Sequence, residues 1–237
     1  MLPRTSEIDA LNLDSEETDH REQCLLMFSG GRDSTLAAVR LAQANSPIRL
    51  ITVTSNHLIG IENVRIRLKE LSRHLHPETE WIHVHQPLDL KTDVSFYEQT
   101  CLPCHHAYVV VSAAIARWYK AKRLAFGYAG YQSDWPEQTP LATSRLKHVL
   151  ARHGINLELP TYDIATRAAA LKELEKLSLS TDALEQKCSR QVTNVSLSPD
   201  RLEQQVALWE SAIDKSLTSL EQIPIYEIEK DIIGNLK

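Results

Sequence analysis

The chain has 237 residues, 43% of them apolar, a formal net charge of -5 and four cysteines. That is enough apolar material for one full core, and the charge excludes a broadly basic surface of the kind that grips a nucleic-acid backbone. Residues 1–22 hold seven acids against Arg4 and Arg21, which leaves 24 basic against 24 acidic residues in the remainder.

Residues 1–21 read as a polar, acidic arm, without the basic start and apolar centre of a signal peptide. No later apolar run reaches the ~18 residues that a membrane span needs. A cytoplasmic protein is the expectation, and in that compartment cysteines serve metal binding or chemistry rather than structural disulfides.

Cys24-Leu25-Leu26-Met27-Phe28 is a short apolar run leading into Ser29-Gly30-Gly31-Arg32-Asp33-Ser34, after which Thr35 to Ala42 has helical periodicity. The order is buried strand, glycine turn, helix. Two glycines let the backbone approach a bound group, and the free N–H groups of a helix start, the Ser29 and Ser34 hydroxyls and the helix dipole favour a polyphosphate. Arg32 is the cation nearest that anion, and Asp33 caps the helix or holds Mg.

Residues 48–54 form a β-branched run suited to a buried parallel strand, and Ile61, Val64, Leu68 and Leu71 make a helical stripe. Trp81 to His85 reads as the third strand, 107–120 as an apolar helix, 123–127 as the fourth strand, and 138–153 as a helix closed by Gly154. Residues 157–162 form a short extended piece, 165–177 and 181–186 read as helical, and a long amphipathic helix starts at Pro199.

Strands alternating with helices predict an α/β fold: a doubly wound, mostly parallel five-stranded sheet of Rossmann-like type with a helical C-terminal region. The expected division is an arm at 1–21, a nucleotide domain at 22–190 and a helical extension at 191–237. Ligands in such sheets lie at the carboxyl ends of the strands, where loops 29–34, 54–60, 86–105 and 127–137 arrive. The expected nucleotide contacts are Ser29, Gly30, Gly31, Arg32, Asp33, Ser34, Val53 and Gly127.

Cys101-Leu102-Pro103-Cys104 is a CxxC, and Cys188 follows after the fifth strand unit. Three thiolates, with His105, His106 or solvent as a fourth ligand, would suit Zn or an iron-sulfur cluster. His57, just past the second strand, is close enough to the loop to meet a nucleotide. The loop Gly127-Tyr128-Ala129-Gly130-Tyr131-Gln132-Ser133-Asp134-Trp135-Pro136-Glu137 combines glycines, aromatics and acids, so Tyr131, Asp134 and Glu137 are candidates for holding a planar heterocycle.

The Ser29–Ser34 string resembles the SGGxDS loop of the ATP pyrophosphatase (PP-loop) superfamily. Within it, residues 24–190 resemble 7-cyano-7-deazaguanine synthase through that loop, Leu102-Pro103-Cys104-His105-His106, the 127–137 string, and Cys188 where that family's zinc cysteines begin. That family has four closely spaced C-terminal cysteines, of which this chain keeps one. The resemblance implies a Mg- and ATP-dependent ligase that adenylates a deazapurine-like acceptor, releases pyrophosphate and admits a nitrogen nucleophile. Asp33, Ser34 and Arg32 are then the catalytic residues, and Cys101, Cys104 and Cys188 a rebuilt Zn site.

The CxxC-then-Cys layout also resembles tRNA 2-thiolation enzymes, which pair the same ATP loop with an iron-sulfur cluster. A non-catalytic adenine-nucleotide sensor acting as a partner subunit is a third reading. The expected partner is a small-molecule acceptor rather than nucleic acid or membrane, and a homodimer or a protein partner is compatible with the sequence.

Overall fold

The computed structural model describes residues 23–42, 47–87, 90, 100–189 and 195–236. The acidic arm at 1–21 lies outside them.

The described residues hold eight strands and six α-helices in the order β1 (Cys24–Met27), α1 (Arg32–Ala42), β2 (Arg49–Thr54), β3 (Leu58–Ile59), α2 (Ile61–Leu71), β4 (Glu80–His85), α3 (Leu102–Trp118), β5 (Arg123–Phe126), α4 (Pro140–Arg152), β6 (Asn156–Glu158), α5 (Arg167–Lys176), β7 (Lys187–Cys188), α6 (Pro199–Thr218) and β8 (Tyr226–Ile232). Six strands form one sheet in the order β6-β5-β1-β2-β4-β8, and β3 pairs with β7 in a separate two-stranded ribbon. All neighbours in the large sheet run parallel except β8, which is antiparallel to β4.

The doubly wound reading holds, with a correction to the strand count. The region expected to be helical from 191 onward supplies α6 and also the sixth strand, β8. The physical signal is Tyr226-Glu-Ile-Glu-Lys-Asp-Ile232, an apolar-polar alternation of period two that carries the strand to the sheet edge. A register shift opposite His83 and Val84 marks a bulge in this pair.

Both faces of the sheet are covered. Leu25, Met27, Ile51 and Val53 pack with residues of α3, α4 and α6 on one side. Leu26, Phe28 and Leu50 pack with α1, α2 and α5 on the other. Side chains of β1 alternate between the two layers, as the pleat requires, so a strand buried on both faces reads as an unbroken apolar run. Leu25, Leu26, Leu50 and Ile51 are wholly buried, each contributing about 2 kcal/mol by removal from water.

From β1 the chain winds outward through β2 to β4, then crosses back to place β5 on the other side of β1. The strand order therefore reverses between β1 and β5, and a crevice opens at their carboxyl ends. The loop at 29–34 leaves β1 there, and the loop starting at Gly127 leaves β5 beside it.

Residues 181–186 form no helix, contrary to the sequence expectation. They run as an extended strap across the ends of β1 and β2. Arg32 Nε donates to the Thr181 carbonyl at 2.7 Å, and Arg67 donates to the carbonyls of Ser180 and Asp182 at 2.9 and 2.8 Å. Those backbone oxygens accept tertiary bonds instead of helical ones, which outweighs the helix-forming side chains.

Candidate nucleotide and acceptor site

Gly30 sits at φ +81°, in the left-handed region, and a Cβ there would lie 2.8 Å from the Leu184 carbonyl oxygen. Gly31 serves as the half-turn before α1: its carbonyl accepts from Thr35 N at 3.0 Å, Thr35 Oγ1 at 2.7 Å and Ser34 Oγ at 3.1 Å. Ser29 Oγ accepts from Gly31 N at 3.2 Å and lies 3.1 Å from Ser34 Oγ. The Gly31 amide is thus engaged within the loop. The amides of Arg32, Asp33 and Ser34, in the first turn of α1, have no intrahelical acceptor and form the donor edge of the loop.

Gly127 sets the other wall. A Cβ there would come within 2.5 Å of both Ser34 N and Ser34 Cα, so only glycine lets the exit of β5 touch the first turn of α1. Val53, near the end of β2, is buried, and its carbonyl accepts from Gln186 Nε2 at 3.1 Å. Thr54 Oγ1 donates to Gln186 Oε1 at 2.6 Å, which clamps the strap to the end of β2.

Tyr131, expected beside an acceptor, faces the 29–34 loop. Its hydroxyl donates to both Asp33 carboxylate oxygens at 2.8 Å. Burial raises the Asp33 pKa above the usual carboxylate range, against the opposing effects of the Tyr131 hydrogen bond and the Arg32 charge. Arg32 spends its Nε on the strap. Asp134 is exposed, whereas Glu137 is wholly buried.

Glu137 stands in a short turn ahead of α4, and neither carboxylate oxygen has a hydrogen-bonding partner among the described residues. Burial pushes its pKa up to about 7. His105 Nε2 is 3.6 Å from Glu137 Oε1, and His105 Nδ1 is 2.7 Å from the Tyr128 hydroxyl. Burial lowers the His105 pKa to about 3, so the ring is neutral. Glu137 is therefore part of a buried polar line, Glu137–His105–Tyr128, behind the crevice.

Cys104 and Cys188 lie near the segment that follows β2, whereas Cys24 begins β1 at the opposite end of the strands. Leu58 of β3 pairs with Cys188 of β7, and Ser189 N donates to the His57 carbonyl at 2.8 Å. His57 Nε2 lies 3.4 Å from Cys104 Sγ, and its Nδ1 lies 2.9 Å from Ser55 Oγ. The Tyr108 hydroxyl is pushed far above the usual tyrosine range, first by burial and then by the charges of Cys104, Cys101 and Cys188. Among the described residues, however, no three His, Cys, Asp or Glu side chains come close enough together to hold a metal ion. The thiols converge without forming a ligand set, so the residues as placed do not fit the Zn expected from the sequence. His106, a second candidate ligand, instead turns to α6, with Nε2 3.1 Å from Ser216 Oγ.

The sequence places His57 near the nucleotide and Cys104 among the metal ligands, but the contact of His57 with Cys104 and the Gln186 clamp on Thr54 join residues 47 and 132 positions apart, and neither is visible before the chain folds.

No described helix is long and apolar enough to cross a membrane. No family model matches the sequence, and no curated protein sequence does. Among solved structures, the chain is similar to a 4-thiouridine synthetase solved with RNA and bound ATP, at 19% identity and a TM-score of 0.57. The alignment covers 88% of this chain and 55% of that one, so the chain spans about half the length of that relative. It is also similar to the NMN synthetase of Francisella tularensis, at 9% identity and a TM-score of 0.52, over 83% of this chain and 87% of that one. At these identities the likeness shows the fold: the chain is an α/β protein with the mostly parallel, doubly wound sheet of those two synthetases.

Proposed function

We propose that the chain is an ATP-dependent adenylating enzyme of the PP-loop superfamily. Mg-ATP lies with its polyphosphate over residues 29–34, an acceptor oxygen attacks the α-phosphorus, pyrophosphate leaves, and a nitrogen nucleophile displaces AMP. The observation that carries this reading is the loop itself. Left-handed Gly30, the Ser29 and Ser34 hydroxyls and the first-turn amides of α1 meet at the strand-order reversal, where Gly127 brings the β5 loop against them. The two fold relatives, one solved with bound ATP, support the superfamily.

The residues of the loop act by positioning and charge neutralisation, with N–H groups facing oxygens that gain negative charge. Tyr131 holds the Asp33 carboxylate in one orientation, leaving it fixed at the rim for a cation that accompanies the phosphates. The acceptor we infer is a small deazapurine-like acid in the crevice between the 29–34 and 127–135 loops, with the exposed Asp134 at its mouth.

Replacing Ser34 or Asp33 with Ala abolishes ATP-dependent pyrophosphate release while circular dichroism stays that of the wild type. Turnover retained in S34A and D33A would sink the assignment.

The placing of Cys104 against His57, with Cys188 paired to the strand that follows it, favours a second reading, in which the site handles sulfur in a thiolation-type reaction. Elemental analysis and an absorption spectrum of anaerobically purified protein separate the two. Iron with a broad visible band supports thiolation, and iron-free protein that forms AMP and pyrophosphate from Mg-ATP and a deazapurine acid supports the ligase.

A further inference from the structure

Arg67 of α2 is a wholly buried arginine in a helix that is otherwise amphipathic. A buried guanidinium is costly unless its donors are matched, and here they are spent on oxygens from three segments. Nη1 donates to the Ser180 carbonyl at 2.9 Å and to Glu70 Oε2 at 2.6 Å, Nη2 to the Asp182 carbonyl at 2.8 Å, and Nε reaches the Gly30 carbonyl at 3.4 Å. One planar fork therefore ties α2, the strap and the phosphate loop together.

The strap presses on the loop at the points where the glycines have no side chain. The Leu184 carbonyl lies 2.8 Å from where a Cβ on Gly30 would be, and Glu185 Oε2 lies 3.2 Å from that of Gly31. Moving the strap removes the surface against which the left-handed Gly30 turn is packed. Arg32, whose amide belongs to the donor edge, is attached to the same strap through Thr181.

We propose that Arg67 is a positioning residue for nucleotide binding: by locking the strap at Ser180 and Asp182 onto the Gly30 carbonyl, it holds the phosphate loop in its anion-accepting shape. This rests on the reading of 29–34 as a nucleotide loop. Lysine cannot replace it, because a single ammonium lacks the planar fork that spans these carbonyls.

The test compares wild type, R67K and R67M in Mg-ATP-dependent pyrophosphate release, with limited trypsin digestion at Lys187, the β7 residue that directly follows the strap, as a readout independent of turnover. Both variants raise the KM for Mg-ATP about tenfold with kcat within about twofold, and both are cut faster at Lys187. A merely structural role would lower the amount of folded enzyme and leave KM unchanged. A folded R67M with wild-type KM, or with kcat lost at constant KM, overturns the proposal. Should both variants misfold, hydrogen exchange on wild type decides: Mg-ATP slows exchange at residues 182–186, and exchange unchanged by bound nucleotide overturns it. If wild type binds no Mg-ATP by calorimetry, the proposed function itself fails, and faster cutting of R67K at Lys187 then reports only how the strap is anchored.

Discussion

Glu137 is a wholly buried carboxyl whose oxygens have no hydrogen-bonding partner among the described residues, with His105 Nε2 3.6 Å away, and its pKa, pushed up to about 7 by burial, exceeds the ~4.3 of a free glutamate. The folded state therefore keeps a proton that the unfolded state releases. Its contribution to stability is fully present below the unfolded pKa and is lost as pH rises from about 4.5 to 7, by about 3 kcal/mol in all. E137Q removes this loss. Denaturant unfolding of wild type and E137Q should show the variant gaining relative stability between pH 5 and 7.5, and parallel curves would contradict the assignment. The sequence placed Glu137 in the right loop but not in its burial, because nothing in Trp135-Pro136-Glu137 tells which side of the turn α3 and α6 will cover. Tyr131 illustrates the same limit. Its place in the loop four residues after Gly127 was legible, whereas its hydroxyl pairing with Asp33 depends on how two loops fold together.

Between β5 and α1 the fit is set by one missing atom. Gly127→Ala puts a methyl group 2.5 Å from two backbone atoms of Ser34, and neither can yield as a flexible side chain would. The expected outcome is a loss of several kcal/mol of stability, or a folded protein in which α1 has shifted and pyrophosphate release is lost. Thermal unfolding together with the release assay checks this, and wild-type values for both would be the contrary result. The strand-loop-helix unit around Ser29–Ser34 was readable because its signals are local: an apolar run, two glycines, then 3.6-residue periodicity. The strap was misread for the converse reason. Thr181-Asp-Ala-Leu-Glu-Gln186 has ordinary helical composition, and what keeps it extended comes from Arg32, Arg67 and the Gln186 bridge to β2.

For the molecule as a whole, β8 closes one side of the sheet. It covers the edge of β4, which holds Trp81, His83 and their neighbours, and its side chains reach both faces: Glu229 pairs with Arg65 of α2, and Lys230 pairs with Glu80 at 2.7 Å. Ending the chain at residue 225 leaves the β4 ladder unpaired. The truncated protein should unfold at lower denaturant than wild type and self-associate, as size-exclusion chromatography would show. A monomeric truncation of unchanged stability would mean that β8 is dispensable. The strand escaped sequence reading because Lys230 breaks the apolar side of its alternation, and its partner, β4, lies far back in the chain.

That separation has a temporal side. During synthesis the ribosome delivers β1, β2, β4 and β5 with their helices long before β8, so the growing polypeptide must carry an open β4 rim until β8 emerges. Loop closure over such a distance is slow relative to local helix formation. A nascent chain of this protein therefore passes through a stage in which the loops at 29–34 and 127–137 are already synthesised while the outer backbone edge of β4 is still able to pair with strangers.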